Sequence, residues 1–153
     1  MIALYGDKPQ CVLMSFAMVM DEDPQTLIKE LGHDGLSVVA YEEPAPNCLR
    51  SFHPQEFVDL LQARGFACTM FDAEPKMMHG RTLVDHTKFL GPTRFQESLR
   101  LGQGVIFGIL KETMPHAVAW DGKVVFDPRG YHWSFPNSEF KPLFFFLVQR
   151  IIK

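Results

Sequence analysis

The sequence predicts an α+β fold, because helical patterns dominate the chain up to Gly102 and strand patterns dominate after it. Helices that precede an antiparallel sheet along the chain are typical of that class. The chain has 153 residues, of which 46% are apolar, so it can bury a sizeable core. We expect residues 1–153 to form a single domain, since no repeat, low-complexity tract or linker divides them.

Start and stop signals predict the first two helices. After a short extended segment at residues 2–5, the apolar run from Cys11 to Met20 predicts the first helix. Asp23 is suited to cap the second helix, Pro24 to occupy its first position and Gly32 to end it. Both helices are therefore expected before the first long loop.

The middle of the chain alternates between loops and helices. Asp34 to Ser51 contains two prolines and predicts an irregular loop, and Pro54 to Arg64 predicts the third helix. Residues 72–90 are expected to be a loop with one short strand at Arg81 to Val84. A fourth helix is expected from Pro92 to Gly102.

Apolar runs predict the main strands. The expected strands are Phe66 to Phe71, Val105 to Leu110 and Leu143 to Ile151, and the latter two are nearly continuous apolar runs of the kind found in buried strands. Together with a hairpin that begins near His116, they predict a strand-rich second half.

The hairpin signal after His116 is the most informative pattern in the chain. Asp121-Gly122 stands between two apolar, β-branched runs and fits a two-residue type I′ turn. In that register Val118 faces Val125 and His116 faces Asp127. A carboxylate opposite an imidazole gives a base that is held by an orienting acid, which is half of a nucleophilic triad.

Cys11 is the candidate for the other half. A cysteine in the first turn of a helix has its thiolate favoured by the helix dipole and by free backbone N–H groups. Those N–H groups can also help to form an oxyanion hole. The alternative is that Cys11 is a buried helical cysteine that acts as a small hydrophobic residue.

Other residues compete for these roles. His33 and His132 are rival bases without an acid at a fixed cross-strand position, and Asn137 is an alternative orienting group. Asp127 also suits the first position of a turn, which is compatible with orienting a histidine. His33-Asp34 invites a metal site or a second acid–base pair, but no partner ligands are spaced around it, and the helix end and turn explain it.

Composition argues against several classes of protein. The net charge is −3 and no Lys/Arg run exists, so nucleic-acid or anionic-membrane binding is not expected. Three cysteines fit no metal spacing and indicate reduced thiols in the cytoplasm, and we expect neither metal nor cofactor. The N-terminus lacks a secretion signal, and the apolar runs Val12 to Met20 and Leu143 to Val148 are too short to span a bilayer.

Three segments together resemble the papain-like cysteine peptidases. They are Gln10 to Met20, the Gly-His-Asp-Gly run at 32–35, and His116-Ala-Val-Ala-Trp followed by Asp127-Pro128. The chain most resembles the bacteriocin-processing peptidase domains of bacterial ABC exporters and their small stand-alone relatives in bacteria and phages. The resemblance covers essentially the whole chain, with the segments in matching order.

The resemblance implies a papain-like domain, in which N-terminal helices pack on a C-terminal antiparallel sheet. It also implies Cys11 as the nucleophile, His116 as general base and acid, and Asp127 as the group that orients His116. Such peptidases place an oxyanion-binding glutamine shortly before the cysteine, and Tyr5 occupies that position here. We therefore expect Tyr5 to lie close to Cys11 and to donate its hydroxyl to the oxyanion. Val12 replaces the family's usual glycine.

These features predict a cysteine-dependent hydrolase or peptidase that attacks a polypeptide amide and forms a thioester. One alternative is a catalytically weak or inactive papain-like module that binds a peptide or a partner protein, in a cleft with the segment Tyr131 to Phe135. Another is a deamidase or acyltransferase that uses the same triad. Within that segment, Trp133 and Phe135 suit either a groove or the core.

Overall fold

We describe the protein from a computed structural model, over residues 1–39, 48–74, 76–85 and 90–151 and without the side chains of Cys48 and Met77. The helices are α1 (Cys11–Met20), α2 (Pro24–Leu31), α3 (Pro54–Ala63) and α4 (Arg94–Leu99), and a 3₁₀ turn at Gly91–Thr93 precedes α4. The strands are β1 (Val38–Val39), β2 (Cys48–Leu49), β3 (Phe66–Asp72), β4 (Lys76–His79), β5 (Thr82–Asp85), β6 (Gly104–Leu110), β7 (Met114–Trp120), β8 (Val125–Asp127), β9 (Tyr131–Trp133) and β10 (Phe140–Arg150).

The main sheet has six strands in the order β3-β10-β6-β7-β8-β9, and its neighbouring strands are antiparallel. Two further ribbons pair β1 with β2 and β4 with β5. The α+β class is therefore confirmed. No helix in the described part of the chain is long and apolar enough to cross a membrane.

Helix α1 packs on the centre of the sheet. Leu13, Phe16 and Ala17 are fully buried and belong to one hydrophobic cluster with Val105 of β6 and Ala117 of β7. Full burial of a large apolar side chain such as Leu13 or Phe16 stabilises the fold by about 1.5–3 kcal/mol relative to exposure. The packing sets the start of α1 beside β7, which carries His116.

The predicted capping signals are used in α2. The Asp23 carboxylate accepts the backbone N–H of Gln25 at 3.3 Å, and Pro24 is the first helical residue. Gly32 ends the helix in a left-handed conformation with φ of 82°, which a glycine adopts without steric cost. Such local signals explain why the bounds of α2 match the prediction.

Several regions are more regular than the sequence indicates. Within the first expected loop, β1 and β2 form a small ribbon. In the second, the expected short strand is β5, and it forms a hairpin with β4 through a turn that contains Gly80 with φ of 62°. Residues 40–47, 75 and 86–89, which the two expected loops include, lie outside the described residues. The expected fourth helix is shorter, because its start is the 3₁₀ turn, and β9 is an additional edge strand.

The β7–β8 hairpin has a four-residue loop, so the predicted two-residue turn is wrong. Asp121 accepts the backbone N–H groups of Lys123 and Val124 through Oδ1, at 2.8 Å each, and this side-chain closure lengthens the loop. Trp120 therefore pairs with Val125, two residues away from the predicted register. Because side chains alternate with period two, a shift of two residues leaves His116 and Asp127 on the same face.

Candidate active site

Cys11 is the first residue of α1 and is partly buried. The preceding residue, Gln10, makes no side-chain hydrogen bond to the first turn of the helix. Its side-chain amide instead donates to the backbone carbonyl of Asp34 at 2.7 Å. The first backbone N–H groups of α1 thus have no side-chain cap, and the positive end of the helix dipole lies at the thiol.

His116 and Asp127 form a buried pair beside Cys11. The Nε2 atom of His116 lies 2.9 Å from Oδ1 of Asp127, and the two residues are 7% and 0% exposed. His116 also shares a hydrogen bond with the Cys11 thiol. Since Nε2 is bonded to the carboxylate, the ring nitrogen that remains for Cys11 is Nδ1.

The Asp127 carboxylate has further partners. Arg129 donates its backbone N–H to Oδ1 at 3.0 Å, and its guanidinium contacts both oxygens through Nε and Nη2, at 2.8 to 3.2 Å. The indole N–H of Trp133 donates to Oδ2 at 3.2 Å. A fully buried carboxylate is costly unless it is paired, and these contacts provide the pairing.

The electrostatics of the pair favour a thiolate and an imidazolium. Burial raises the pKa of Cys11, but the hydrogen bond and charge of His116, with backbone hydrogen bonding at Ala117 and Val12, outweigh burial and lower it. Burial lowers the pKa of His116, but hydrogen bonds and charges of Asp127 and Cys11 raise it to about 9. Both shifts favour the pair of thiolate and imidazolium over the neutral thiol and neutral imidazole.

The pKa values of Asp127 and Cys68 are also shifted by their surroundings. Burial raises the pKa of Asp127, but hydrogen bonds from His116 and Arg129 dominate and hold it far below its usual range. Cys68, on β3, has no such partner, and burial raises the pKa of its thiol to about 11. Cys11 is thus the more acidic of the two described thiols.

Cys11 and His116 border a cavity of about 420 Å³. Its apolar lining includes Leu49, Met114, Pro115 and Pro128, and its polar lining includes Lys8 and Ser51. Met114 and Leu49 are 53% and 38% exposed, so large apolar side chains face solvent beside the thiol. A larger cavity, of about 670 Å³, lies near Phe95 and has no cysteine or histidine in its described lining.

Tyr5 lies elsewhere, so the structure does not bring it to the expected position at Cys11. Its hydroxyl is 2.8 Å from Nε2 of His132, its side chain is 51% exposed, and it is absent from the described lining of the cavity at Cys11. The next residue, Gly6, donates its N–H to the carbonyl of Pro128 at 3.0 Å. This bond holds the N-terminal segment near β9, where the hydroxyl of Tyr5 is hydrogen-bonded to His132.

The rival residues are occupied in other ways. Nε2 of His33 lies 2.6 Å from Glu56, and its Nδ1 accepts the N–H of Gly35 at 3.0 Å. Asn137 accepts the N–H of Glu139 in a local turn. Within the described residues, no group of three His, Cys, Asp or Glu side chains could hold a metal ion.

Two aromatic residues of the segment after β8, Trp133 and Phe135, pack on the second hydrophobic cluster, each against Phe140. Trp133 also donates its indole N–H to Asp127. Neither lines the cavity at Cys11. Sequence reasoning missed Arg129 as a site residue, although its place two residues after Asp127 in an Asp-Pro-Arg-Gly turn was a usable signal.

No family model, curated protein or solved structure matches the chain.

Proposed function

We propose that the protein is a papain-like, cysteine-dependent hydrolase that cleaves polypeptide amides with Cys11, His116 and Asp127. One observation carries the proposal: the His116 ring bridges a buried carboxylate and a thiol that begins a helix. Thiol, imidazole and carboxylate in hydrogen-bonded order are the arrangement that nucleophilic acyl chemistry needs. The adjacent cavity supports the proposal because it leaves the thiol open to a substrate.

The chemistry follows from the ion pair. The Cys11 thiolate attacks the carbonyl carbon, and the His116 imidazolium gives its proton to the leaving amine as the C–N bond breaks. Neutral His116 then takes a proton from water, which attacks the thioester, and the C–S bond breaks to release the acid. Asp127 keeps the ring oriented and stabilises the imidazolium. The uncapped N–H groups at the start of α1 are the available donors for the oxyanion.

The cavity lining supports a substrate with an apolar side chain next to the scissile amide. Leu49 and Met114 approach the thiol from separate strands and are more exposed than core residues. Burying a substrate methylene against them stabilises binding by about 0.8 kcal/mol. A reducing compartment such as the cytoplasm suits this chemistry, because Cys11 must stay a free thiol.

Turnover of peptide amides tests the proposal. A mixture of fluorogenic peptide amides with apolar residues should be hydrolysed by the wild type and not by Cys11→Ala. Cys68→Ala removes a thiol from β3 and should leave turnover unchanged. Hydrolysis that survives Cys11→Ala would refute the assignment, and mass spectrometry of the products separates the free acid from an acyl group transferred to an amine.

A second candidate is a weakly active module that binds a peptide. It is favoured by the engagement of Tyr5 with His132 and of the Gln10 amide with Asp34, which leaves neither side chain as an oxyanion donor. Loss of one such donor typically slows acyl transfer by about 10²–10³-fold. Peptide binding that persists in Cys11→Ala, without detectable turnover in the wild type, would support this candidate.

A further inference from the structure

Arg129 supplies most of the hydrogen bonds to Asp127. Its backbone N–H, Nε and Nη2 account for four contacts, while His116 and Trp133 contribute one each. The guanidinium is a planar fork whose donors match the two oxygens of a carboxylate. The side chain is 32% exposed, and it also borders the cavity at Cys11. Arg129 therefore contacts the buried carboxylate of Asp127 and also borders the cavity at Cys11.

The guanidinium of Arg129 fixes which carboxylate oxygen of Asp127 faces His116. A carboxylate with one partner can rotate about its last side-chain bond, which would turn either oxygen toward the imidazole. Here Nη2 of Arg129 and the Trp133 indole hold Oδ2, so Oδ1 is left facing Nε2 of His116. Orientation of the ring at Nε2 in turn determines where Nδ1 lies relative to Cys11.

Arg129 also completes a row of alternating charges that begins at Cys11. When Cys11 is a thiolate and His116 an imidazolium, the charges alternate in sign through Asp127 to the guanidinium of Arg129. Glu139 and Tyr131 also face the guanidinium, whose central carbon lies 5.3 Å from the centre of the Tyr131 ring. Because Asp127 is fully buried, loss of the guanidinium would leave the acid with a single cationic partner.

We propose that Arg129 is a positioning residue of this active site, which acts through Asp127 to hold His116 against Cys11. The inference rests on the proposed function only for the identity of the nucleophile. It predicts that a residue without any role in bond making controls the ionisation of Cys11. A structural arginine would affect stability alone.

Alkylation of Cys11 by iodoacetamide tests this inference without any need for turnover. The rate at Cys11 is followed by peptide mapping of the full chain from about pH 4 to about pH 10, since only the thiolate reacts. In Arg129→Met and Arg129→Gln, the acid limb of the profile should move up by about one pH unit or more, because an Asp127 that is free to rotate no longer holds the His116 imidazolium beside the thiolate. Arg129→Lys should restore most of that shift.

Arg64→Met is the matched control. Arg64 is also partly buried and paired with two carboxylates, Glu22 and Glu30, but it lies outside the described lining of the cavity at Cys11. Its substitution should lower the melting temperature and leave the Cys11 profile unchanged. Circular dichroism establishes which variants fold, and Arg129→Gln, which keeps one donor, decides the question if Arg129→Met does not fold.

The outcomes separate the two proposals. Folded neutral variants of Arg129 with a wild-type profile would overturn the positioning role, whatever their melting temperatures. A protein without amide turnover but with an Arg129-dependent profile would refute the proposed hydrolase and support Arg129 as a positioning residue. Turnover that depends on Cys11, together with a Cys11 profile that is the same in the Arg129 variants, would support the proposed hydrolase and refute Arg129 as a positioning residue.

Discussion

Two histidine–carboxylate pairs can be compared in this structure. His116 and Asp127 are separated by 2.9 Å, His33 and Glu56 by 2.6 Å, and the two imidazoles are almost equally buried, with side chains 6% and 5% exposed. The two histidines differ in the partner of their second ring nitrogen. In His116 it remains for the Cys11 thiol, whereas in His33 it accepts the backbone N–H of Gly35.

The carboxylates differ as well. The side chain of Glu56 is 27% exposed, and its other oxygen accepts the N–H of His53, which caps the start of α3. The His33 ring stacks on Phe52 with 4.6 Å between ring centres. This pair therefore links the end of α2 to the start of α3. The two pairs thus differ in whether the second ring nitrogen is left to a thiol or is taken up by the backbone.

The largest expected difference between the pairs is in activity. His116→Gln should lower turnover of peptide amides by about 10²–10⁴-fold, because it removes the group that protonates the leaving amine. His33→Gln should change turnover less than about twofold and lower only the melting temperature. Equal losses of turnover in the two variants, measured on folded protein, would contradict the expected difference between His116 and His33.

The acids should differ in their contribution to stability. Asp127→Asn should reduce the free energy of unfolding by about 3–5 kcal/mol, because it breaks a buried ion pair from one side. Glu56→Gln should cost about 1 kcal/mol, since that carboxylate is partly exposed to water. Urea denaturation of both isosteric variants provides the measurement, and a larger loss for Glu56→Gln would contradict it.

The pH dependence of stability should reveal the proton that Cys11 and His116 exchange. The raised pKa of His116 adds stability that is full below its ordinary value of 6.5 and is lost as pH rises through about 9. The lowered pKa of Cys11 has the opposite effect, because it adds stability above its ordinary value of 9.0 that is lost as pH falls. Between these limits the two effects oppose each other in the wild type.

In Cys11→Ala the opposing effect of Cys11 is lost, and the pKa of His116 stays raised only by Asp127. The free energy of unfolding of this variant should therefore fall as pH rises above 6.5, at up to about 1.4 kcal/mol per pH unit, until His116 is neutral. The wild type should change less over the same range. Urea denaturation at intervals of half a pH unit measures both slopes. An equally steep wild type would mean that Cys11 and His116 do not exchange a proton on folding.

Features that depend on a few neighbouring residues could be predicted from the sequence. The bounds of α1 and α2 follow from the apolar run that begins at Cys11 and from the signals at Asp23, Pro24 and Gly32. The pairing of His116 with Asp127 was also predictable, because it depends on which face each side chain occupies. The loop length was not, since it depends on the Asp121 carboxylate accepting two N–H groups.

Features that depend on distant residues could not be predicted in this way. The hydroxyl of Tyr5 bonds to His132, which is 127 positions away along the chain. Its position before Cys11 therefore says little about where the hydroxyl points. The pairing of Arg129 with Asp127 is an intermediate case. Its spacing of two residues was a local signal, but the burial of Asp127, which makes the pairing necessary, depends on residues far along the chain.

The hydrogen bond from Trp133 to Asp127 has an optical consequence. The chain contains two tryptophans, and the other, Trp120, donates its indole N–H to the backbone carbonyl of Leu99. The indole N–H of Trp120 thus contacts a neutral peptide group, whereas that of Trp133 contacts a carboxylate that is also bonded to His116. A Trp120→Phe protein would keep Trp133, which is hydrogen-bonded to the Asp127 carboxylate, as its one tryptophan. Changes at Asp127 could then be followed by tryptophan fluorescence without an added label.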